Sequence, residues 1–410
     1  MMKNGAVLCL CLCLCISVRL ILILLFPQLG SILDQTVQFS TPVTSFKSLK
    51  EGLFLLNHSM GLYEGGVVYL PPLLLQFVNL FQIGGGSQLV ASLLFIFLDC
   101  LLVWQLYSLE MHLNQTSNCA WIFALNPLTI LSCISKSTIV FTYLPLISTL
   151  YFISTQEGAN LVLSSLMMSV ATYLDPIMGI LLVPTLNFII NKFMRSINRS
   201  LFYLVNFVIC LLLLYWTSPF PLSIVYGTRL NFSNVVPNMG LWWYFFIEMF
   251  QEFIPFFKSV FNLFSICMVI PLTVRFNNCT EGNGRNKPFP LYCWIISLGW
   301  VILTKPYPTL GETGMFLSLL PLLDINQTSI LRYMRYPMLI ILLFLHSILL
   351  SPIFYHLWID LGSGNSNFFY AISLVYNLAL GLLISDITWG VLRLEYDGGR
   401  PNYARKLTQV

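Results

Sequence analysis

Four charges fall inside apolar stretches of this 410-residue chain: Arg19, Asp99, Asp175 and Asp386. A charge in such surroundings is costly and marks a candidate functional position, able to serve in ion pairing, proton relay or helix capping. Asp99 is central to its stretch and needs a partner. A structural ion pair or hydrogen bond is the first expectation for it, and a proton relay the second. Asp175 precedes Pro176 at a helix junction, where a carboxylate caps the following turn. Asp386 lies near the end of the last apolar segment, where it meets the interface or pairs with Arg393. Ion transport would call for several buried acids in line, and the sequence does not supply them.

Two further groups stand near the ends of apolar segments. Glu248 and Glu252 are four apart in Leu241–Phe257, which reads as one helix carrying both acids on one face among Trp242, Trp243, Tyr244 and Phe245. Aromatics at this density suit a membrane interface, where ring bodies meet lipid and polar edges meet water. The stretch is either a surface helix with its acids in water or the wall of a lipid groove with acids facing an amine or a sugar hydroxyl. The second group is Gly362-Ser363-Gly364-Asn365-Ser366-Asn367, between Trp358 and Phe368-Phe369-Tyr370. Two amides and two hydroxyls offer neutral donors and acceptors suited to a hydroxyl-rich or phosphate-bearing ligand. An ordinary turn with an N-cap for the last helix is the competing reading.

Other chemistries find little support. The four histidines lack metal-ligand spacing, and there is no CxxC pair among the 11 cysteines. Cys9, Cys11, Cys13 and Cys15 alternate, so on a helix successive members point about 200° apart and cannot converge on one metal. They read as small packing residues. Gly84-Gly85-Gly86 is a turn, not a phosphate cradle. Neither a metal nor a cofactor is expected, and no catalytic residue stands out.

The elements that must position these residues follow from composition. Hydrophobic residues make up 57% of the chain and charged ones 9%, against about 25% charge in a soluble domain. The mean hydropathy is +0.80. The apolar residues come in blocks long enough to cross a bilayer as helices, which takes roughly 20 residues. The fold class is all-α and polytopic. About twelve spans are expected, near 5–28, 86–108, 119–134, 137–155, 159–174, 176–191, 201–218, 256–274, 289–304, 312–325, 336–354 and 368–391. Segments 119–134 and 312–325 are short, which suggests broken or tilted helices. The stretch after Pro71-Pro72 reads as re-entrant or interfacial. Residues 5–28 read as a retained signal anchor, since the apolar run is long for a cleaved signal and Arg19 interrupts it.

Charge orients this map. With both termini cytosolic, thirteen Lys and Arg lie on the cytosolic side, including Lys192, Arg195, Arg275, Arg285, Lys287, Arg335, Arg393, Arg400, Arg405 and Lys406. Five lie opposite: Lys47, Lys50, Lys136, Arg229 and Lys305. Residues 1–410 form a single membrane domain with lumenal pieces at about 30–85, 219–255 and 356–368. The first includes an amphipathic helix, Ser45–Leu56. Of the sequons at Asn57, Asn114, Asn198, Asn231, Asn278 and Asn326, only Asn57 and Asn231 are lumenal and open to glycosylation. The net charge of +4 comes with no basic cluster interleaved with aromatics, so nucleic acid is not an expected partner.

Five motifs together resemble one family. They are Tyr63-Glu-Gly-Gly-Val-Val-Tyr-Leu-Pro-Pro, Asn126-Pro-Leu-Thr-Ile-Leu-Ser-Cys-Ile-Ser-Lys-Ser-Thr, Asn238-Met-Gly-Leu-Trp-Trp-Tyr-Phe-Phe-Ile-Glu-Met-Phe, Tyr307-Pro-Thr-Leu-Gly and His356-Leu-Trp-Ile-Asp-Leu-Gly-Ser-Gly-Asn-Ser-Asn-Phe-Phe-Tyr-Ala. The chain resembles the PIG-U family, subunits of the glycosylphosphatidylinositol (GPI) transamidase, from about residue 38 to residue 390. Its length and its short loop at 109–118 look like those of fungal members. The resemblance implies an endoplasmic reticulum membrane location and a complex with PIG-K, the legumain-like cysteine protease that performs the chemistry, and with PIG-T, PIG-S and the Gaa-type subunit. It implies that this chain is non-catalytic and binds or presents the GPI lipid among membrane phospholipids. Lipid-head contact carries over to Asn365 and Asn367, with Ser366 and Phe368 beside them. Groove lining carries over to Trp243, Tyr244, Phe245 and Glu248.

The family also looks like the GT-C membrane glycosyltransferases, which place acids in the first lumenal loop. Here Asp34, Glu51 and Glu64 are scattered, with no DD or DxD pair. One lone acid could still act as a general base. A dolichol-phosphate-sugar-dependent mannosyltransferase of GPI synthesis is therefore the alternative, with Asp34 as its discriminating residue. A flippase is the third reading, disfavoured by sparse buried charge.

Overall fold

A computed structural model describes residues 2–81, 88–113, 118–155, 159–193, 196–277, 289–325, 328–397 and 403. Outside them lie Arg195, Arg285, Lys287, Arg400, Arg405, Lys406, the glycines at 84–86 and the sequons at Asn114, Asn278 and Asn326. The described chain is helical, apart from two-residue strands Asp324–Ile325 and Thr328–Ser329 paired antiparallel.

Six of the described helical stretches are long and apolar enough to cross a bilayer: Gly5–Leu25, Gln88–His112, Ile197–Thr217, Ile254–Phe276, Pro337–Asp360 and Ser366–Tyr396. The remaining expected segments form shorter apolar helices, some in two pieces. Expected span 119–134 breaks at Asn126-Pro127 into Asn118–Leu125 and Pro127–Ile134. Proline cannot donate to the preceding turn, and the Asn126 side chain caps the second piece by accepting from Leu128 N at 3.0 Å. Expected span 176–191 begins as a 3-10 turn, Pro176–Leu181, and continues as Leu182–Lys192. The Pro71-Pro72 stretch yields only the eight-residue helix Pro72–Asn79, too short to cross. The expected amphipathic helix is Phe46–Asn57, with Ser45 as its cap.

Burial separates core helices from peripheral ones. Every residue of Phe289–Thr304 except Trp300 is buried, which places this helix in protein on all sides. Ile197–Thr217 buries only Ser200, Tyr203 and Phe207. In the first helix Cys11 and Cys15 are buried while Cys9 and Cys13 are exposed, the i, i+4 sorting that a packed helix imposes.

Arg19, Asp99 and Asp386 each have polar partners. Arg19 Nε lies 2.7 Å from Asp99 Oδ2, and the guanidinium also donates to the carbonyls of Cys15 and Ala124. Asp386 does not meet Arg393. It accepts from Arg335 N and Tyr336 N at 3.1 and 2.9 Å, and Arg393 lies against Asp397 at 3.2 Å. The backbone amides that open the preceding helix fall closer to the Asp386 carboxylate than the arginine seven residues along.

Contacts between the described loops fall into two groups, one at each end of the bundle. At one end Leu310 N donates to Gln38 O, Thr138 N to Thr44 O, and Asn234 Nδ2 to Tyr69 OH. At the other, Lys192 Nζ donates to Ser154 O and Thr155 O, Arg275 pairs with Glu395, and Tyr333 donates to Asp397.

Candidate functional site

The end that gathers the described parts of segments 30–85, 219–255 and 356–368 is built on a buried charge cluster. Lys305, just past the helix Phe289–Thr304, places Nζ 2.6 Å from Glu312 Oε1 and 2.9 Å from Asp175 Oδ2. Arg229 stands 3.8 Å from Asp175 and donates to Val43 O. Asp175 also caps its turn through Ile177 N at 3.3 Å, so the capping role and an ion-pair role coexist. Two cations and two acids neutralise one another, so the cluster joins four chain segments without leaving a net buried charge.

This cluster positions the aromatic stretch. Its neighbours Thr304 and Pro306 expose carbonyls that accept from Trp242 Nε1 at 2.6 Å and Asn238 Nδ2 at 3.2 Å. Asn377, from the last helix, donates to Met239 O at 2.7 Å. Held at these points, the helix Trp242–Glu248 buries Trp242, Trp243 and Phe246.

Against that helix stands the turn of small polar residues. Leu357 O accepts from Ser363 N, Gly364 N and the Ser363 hydroxyl. Gly362 at φ +60° makes the reversal. Asn365 is the N-cap of the last helix, its Oδ1 accepting from Asn367 N at 2.6 Å. The Asn367 Oδ1 in turn accepts from the Tyr244 hydroxyl. Tyr244 stacks on Tyr370 at 4.4 Å, Trp243 on Trp358 at 5.9 Å, and Phe354 on Phe368 at 6.1 Å. Asn365, Asn367 and Phe368 remain exposed and Ser366 half-buried. The Trp243 ring is wholly buried, and its indole N–H has no hydrogen-bond partner.

The structure therefore brings Trp243, Tyr244, Asn365, Ser366, Asn367 and Phe368 to one mouth. Phe245 lies at its edge, 6.1 Å from Tyr370. Glu248 does not share a helical face with Glu252. The helix ends at Glu248, Met249 is extended, and the next helix starts at Ile254. Both acids are exposed. Trp358 and Tyr370, which the sequence reading named only as flanks of the polar turn, pack into the mouth, and Asn238 and Asn377 hold its aromatic helix from behind. Their proximity to aromatic or amide-rich motifs was the available signal.

Asp34 plays a local part. Its Oδ1 accepts from Phe46 N at 2.9 Å and from the Ser40 hydroxyl at 3.1 Å, tying the first loop to its helix. Burial pushes its carboxyl above the ordinary carboxylate value against those hydrogen bonds. Glu51 and Glu64 are exposed. Asn57 and Asn231 are exposed too, at the ends of their helices.

Fold and site define a multi-pass helical membrane protein with a neutral, aromatic-walled polar mouth at one end. The model of the family described as GPI transamidase subunit PIG-U matches residues 13–376. The chain is 45% identical over 397 residues to the GPI transamidase component GAB1 of Saccharomyces cerevisiae, covering 94% of this chain and 95% of that one. It is 30% identical to the human GPI-anchor transamidase component PIGU, with 90% of each chain covered. It is 31% identical to the GAB1 homolog of Schizosaccharomyces pombe over 92% of this chain and 91% of that one. The chain belongs to the PIG-U family.

Proposed function

We propose that this chain is the PIG-U-type subunit of a GPI transamidase and that its mouth holds the polar head of the GPI lipid while another subunit performs the amide exchange. Family membership supports the subunit role, and the names of the relatives give no support to a mannosyltransferase. The observation that carries the lipid-head reading is the way Tyr244, Asn365 and Asn367 are wired. Each amide oxygen already accepts a hydrogen bond inside the protein, Asn365 Oδ1 from Asn367 N and Asn367 Oδ1 from the Tyr244 hydroxyl. Their two NH₂ groups remain as donors at the rim. Such donors favour a ligand rich in acceptor oxygens, and phosphates and sugar hydroxyls are such groups. The exposed rings, Phe368 among them, suit the boundary between head and acyl chains.

On this reading the mouth faces the lumen of the endoplasmic reticulum and the termini face the cytosol. Twelve crossings build a GT-C-like scaffold turned from transfer to binding. The partners implied are PIG-K, PIG-T, PIG-S and the Gaa-type subunit, and Asn57 and Asn231 are the sequons open to glycans. The test is Asn367→Asp. An aspartate keeps an oxygen for Tyr244 and removes the donors. Assembly should persist while anchor attachment in microsomes falls at least ten-fold. Unchanged attachment would reject the lipid-head assignment.

A further inference from the structure

A cavity separate from the mouth lies beside the helix that supports it. Phe261 packs against Trp242 and Phe245, with ring centroids at 4.9 and 5.8 Å. One residue on, about 100° around the helix, Asn262 lines a cavity of about 380 Å³. This is within the range of ligand pockets, roughly 300–1,000 Å³. Its walls are aliphatic: Ile177, Ile180 and Val183 on one side, Ile266, Val269 and Ile270 on the other. Val183, Ile266 and Ile270 are exposed on the outer surface, 37%, 38% and 48% respectively, so the cavity opens sideways from a helical stretch of spanning length.

Water does not suit this space. A buried water needs two to four polar partners, and the two polar side chains in the lining are already engaged. Asn262 donates to Leu230 O at 2.7 Å, and Ser265 donates to Phe261 O and Thr304 O at 3.3 and 3.5 Å. Among the described residues no charged side chain lines the cavity, so these offer nothing to a charged headgroup. What the surrounding medium supplies to an apolar opening at this depth is hydrocarbon.

We infer that this cavity is a binding site for one acyl chain of an ordinary bilayer phospholipid, a structural lipid distinct from the GPI lipid proposed at the mouth. The chain would fill the space between the Pro176–Lys192 segment and the Ile254–Phe276 helix. That second helix supports the aromatic platform from an adjacent face, through Phe261. The inference is independent of the lipid-head assignment, since the two sites share a helix and no lining residue.

The experiment uses microsomes containing the full chain in its complex and a phosphatidylcholine with a mid-chain diazirine. After photolysis, adducts are mapped by mass spectrometry. Ile177 is 6% exposed, so a membrane chain reaches it only through the cavity. Leu212, 60% exposed on the Ile197–Thr217 helix, reports plain lipid contact. Adducts are expected at both positions. Val183→Phe with Ile266→Phe should lower that at Ile177 at least ten-fold and leave that at Leu212 unchanged. Ile270→Phe, at the exposed rim, should give the same pattern if the double variant fails to accumulate. Labelling at Leu212 with none at Ile177 in the unmodified chain would overturn the inference. So would capture of another subunit's helix by benzoylphenylalanine at position 266, or adducts at Ile177 that persist in both filled variants.

Discussion

The hydroxyl of Tyr244 donates to the side-chain oxygen of Asn367, joining the aromatic helix to the first turn of the last helix. Removing the donor by Tyr244→Phe costs one partly exposed neutral hydrogen bond, about 0.5–1.5 kcal/mol at most. It also lets the Asn367 amide rotate. Thermal stability of the purified complex should change by less than 2 °C, while the KM for the GPI substrate rises several-fold and kcat stays near its usual value. Equal loss in Tyr244→Phe and in a distant surface control would show that the bond does not orient Asn367.

Asn365 has a structural duty that the wiring makes separable from binding. Its oxygen caps the last helix through Asn367 N. Asn365→Ala should therefore cost about 1 kcal/mol of helix stability. Asn365→Ser preserves the cap and removes the amide donors. Attachment that recovers in the serine variant assigns Asn365 to capping alone. Attachment that stays low although stability recovers assigns it to the ligand, the outcome expected here.

Arg19 and Asp99 form a buried ion pair between the first helix and Gln88–His112. Breaking it by Asp99→Asn leaves a guanidinium without its counter-charge, a loss of about 3–5 kcal/mol for a buried pair. Accumulation in membranes should fall sharply. The double variant Arg19→Leu with Asp99→Leu should accumulate better than Asp99→Asn, since two apolar side chains of similar bulk need no charge partner. Accumulation lowest in the double variant would point instead to a proton-relay or ligand role for the pair.

Asp34 discriminates a folding role from a catalytic one. Asparagine at this position retains an oxygen for Phe46 N and Ser40 and cannot act as a base. Asp34→Asn is expected to support attachment within two-fold of the unmodified chain, and Asp34→Ala to reduce the amount of folded protein. Complete loss in the asparagine variant with normal protein levels would restore a base at this site.

Most of the architecture was legible in the apolar blocks, because a bilayer leaves few ways to satisfy a backbone. The Asn126-Pro127 break and the Ser45 cap both follow from local chemistry. The partners of buried charge were not legible. Lys305 meets Asp175 across 130 positions, and nothing in either segment names the other. The four-residue spacing of Glu248 and Glu252 suggested a shared face, but spacing implies a face only while the helix continues, and this one stops at Glu248. The polar turn was read both as a cap and as a site. The structure shows the cap at Asn365, and its geometry leaves the amide donors available for the second role.

The most direct test of the central claim combines composition with activity. The tagged chain is purified from membranes in mild detergent, its partners are identified by mass spectrometry, and the preparation is assayed for anchor attachment. A legumain-like protease and the other transamidase subunits should be recovered in near-equal amounts, with attachment activity that Asn367→Asp depresses without altering subunit recovery. A stable, monodisperse chain recovered alone, or a full complex whose activity ignores Asn367→Asp, would contradict the account.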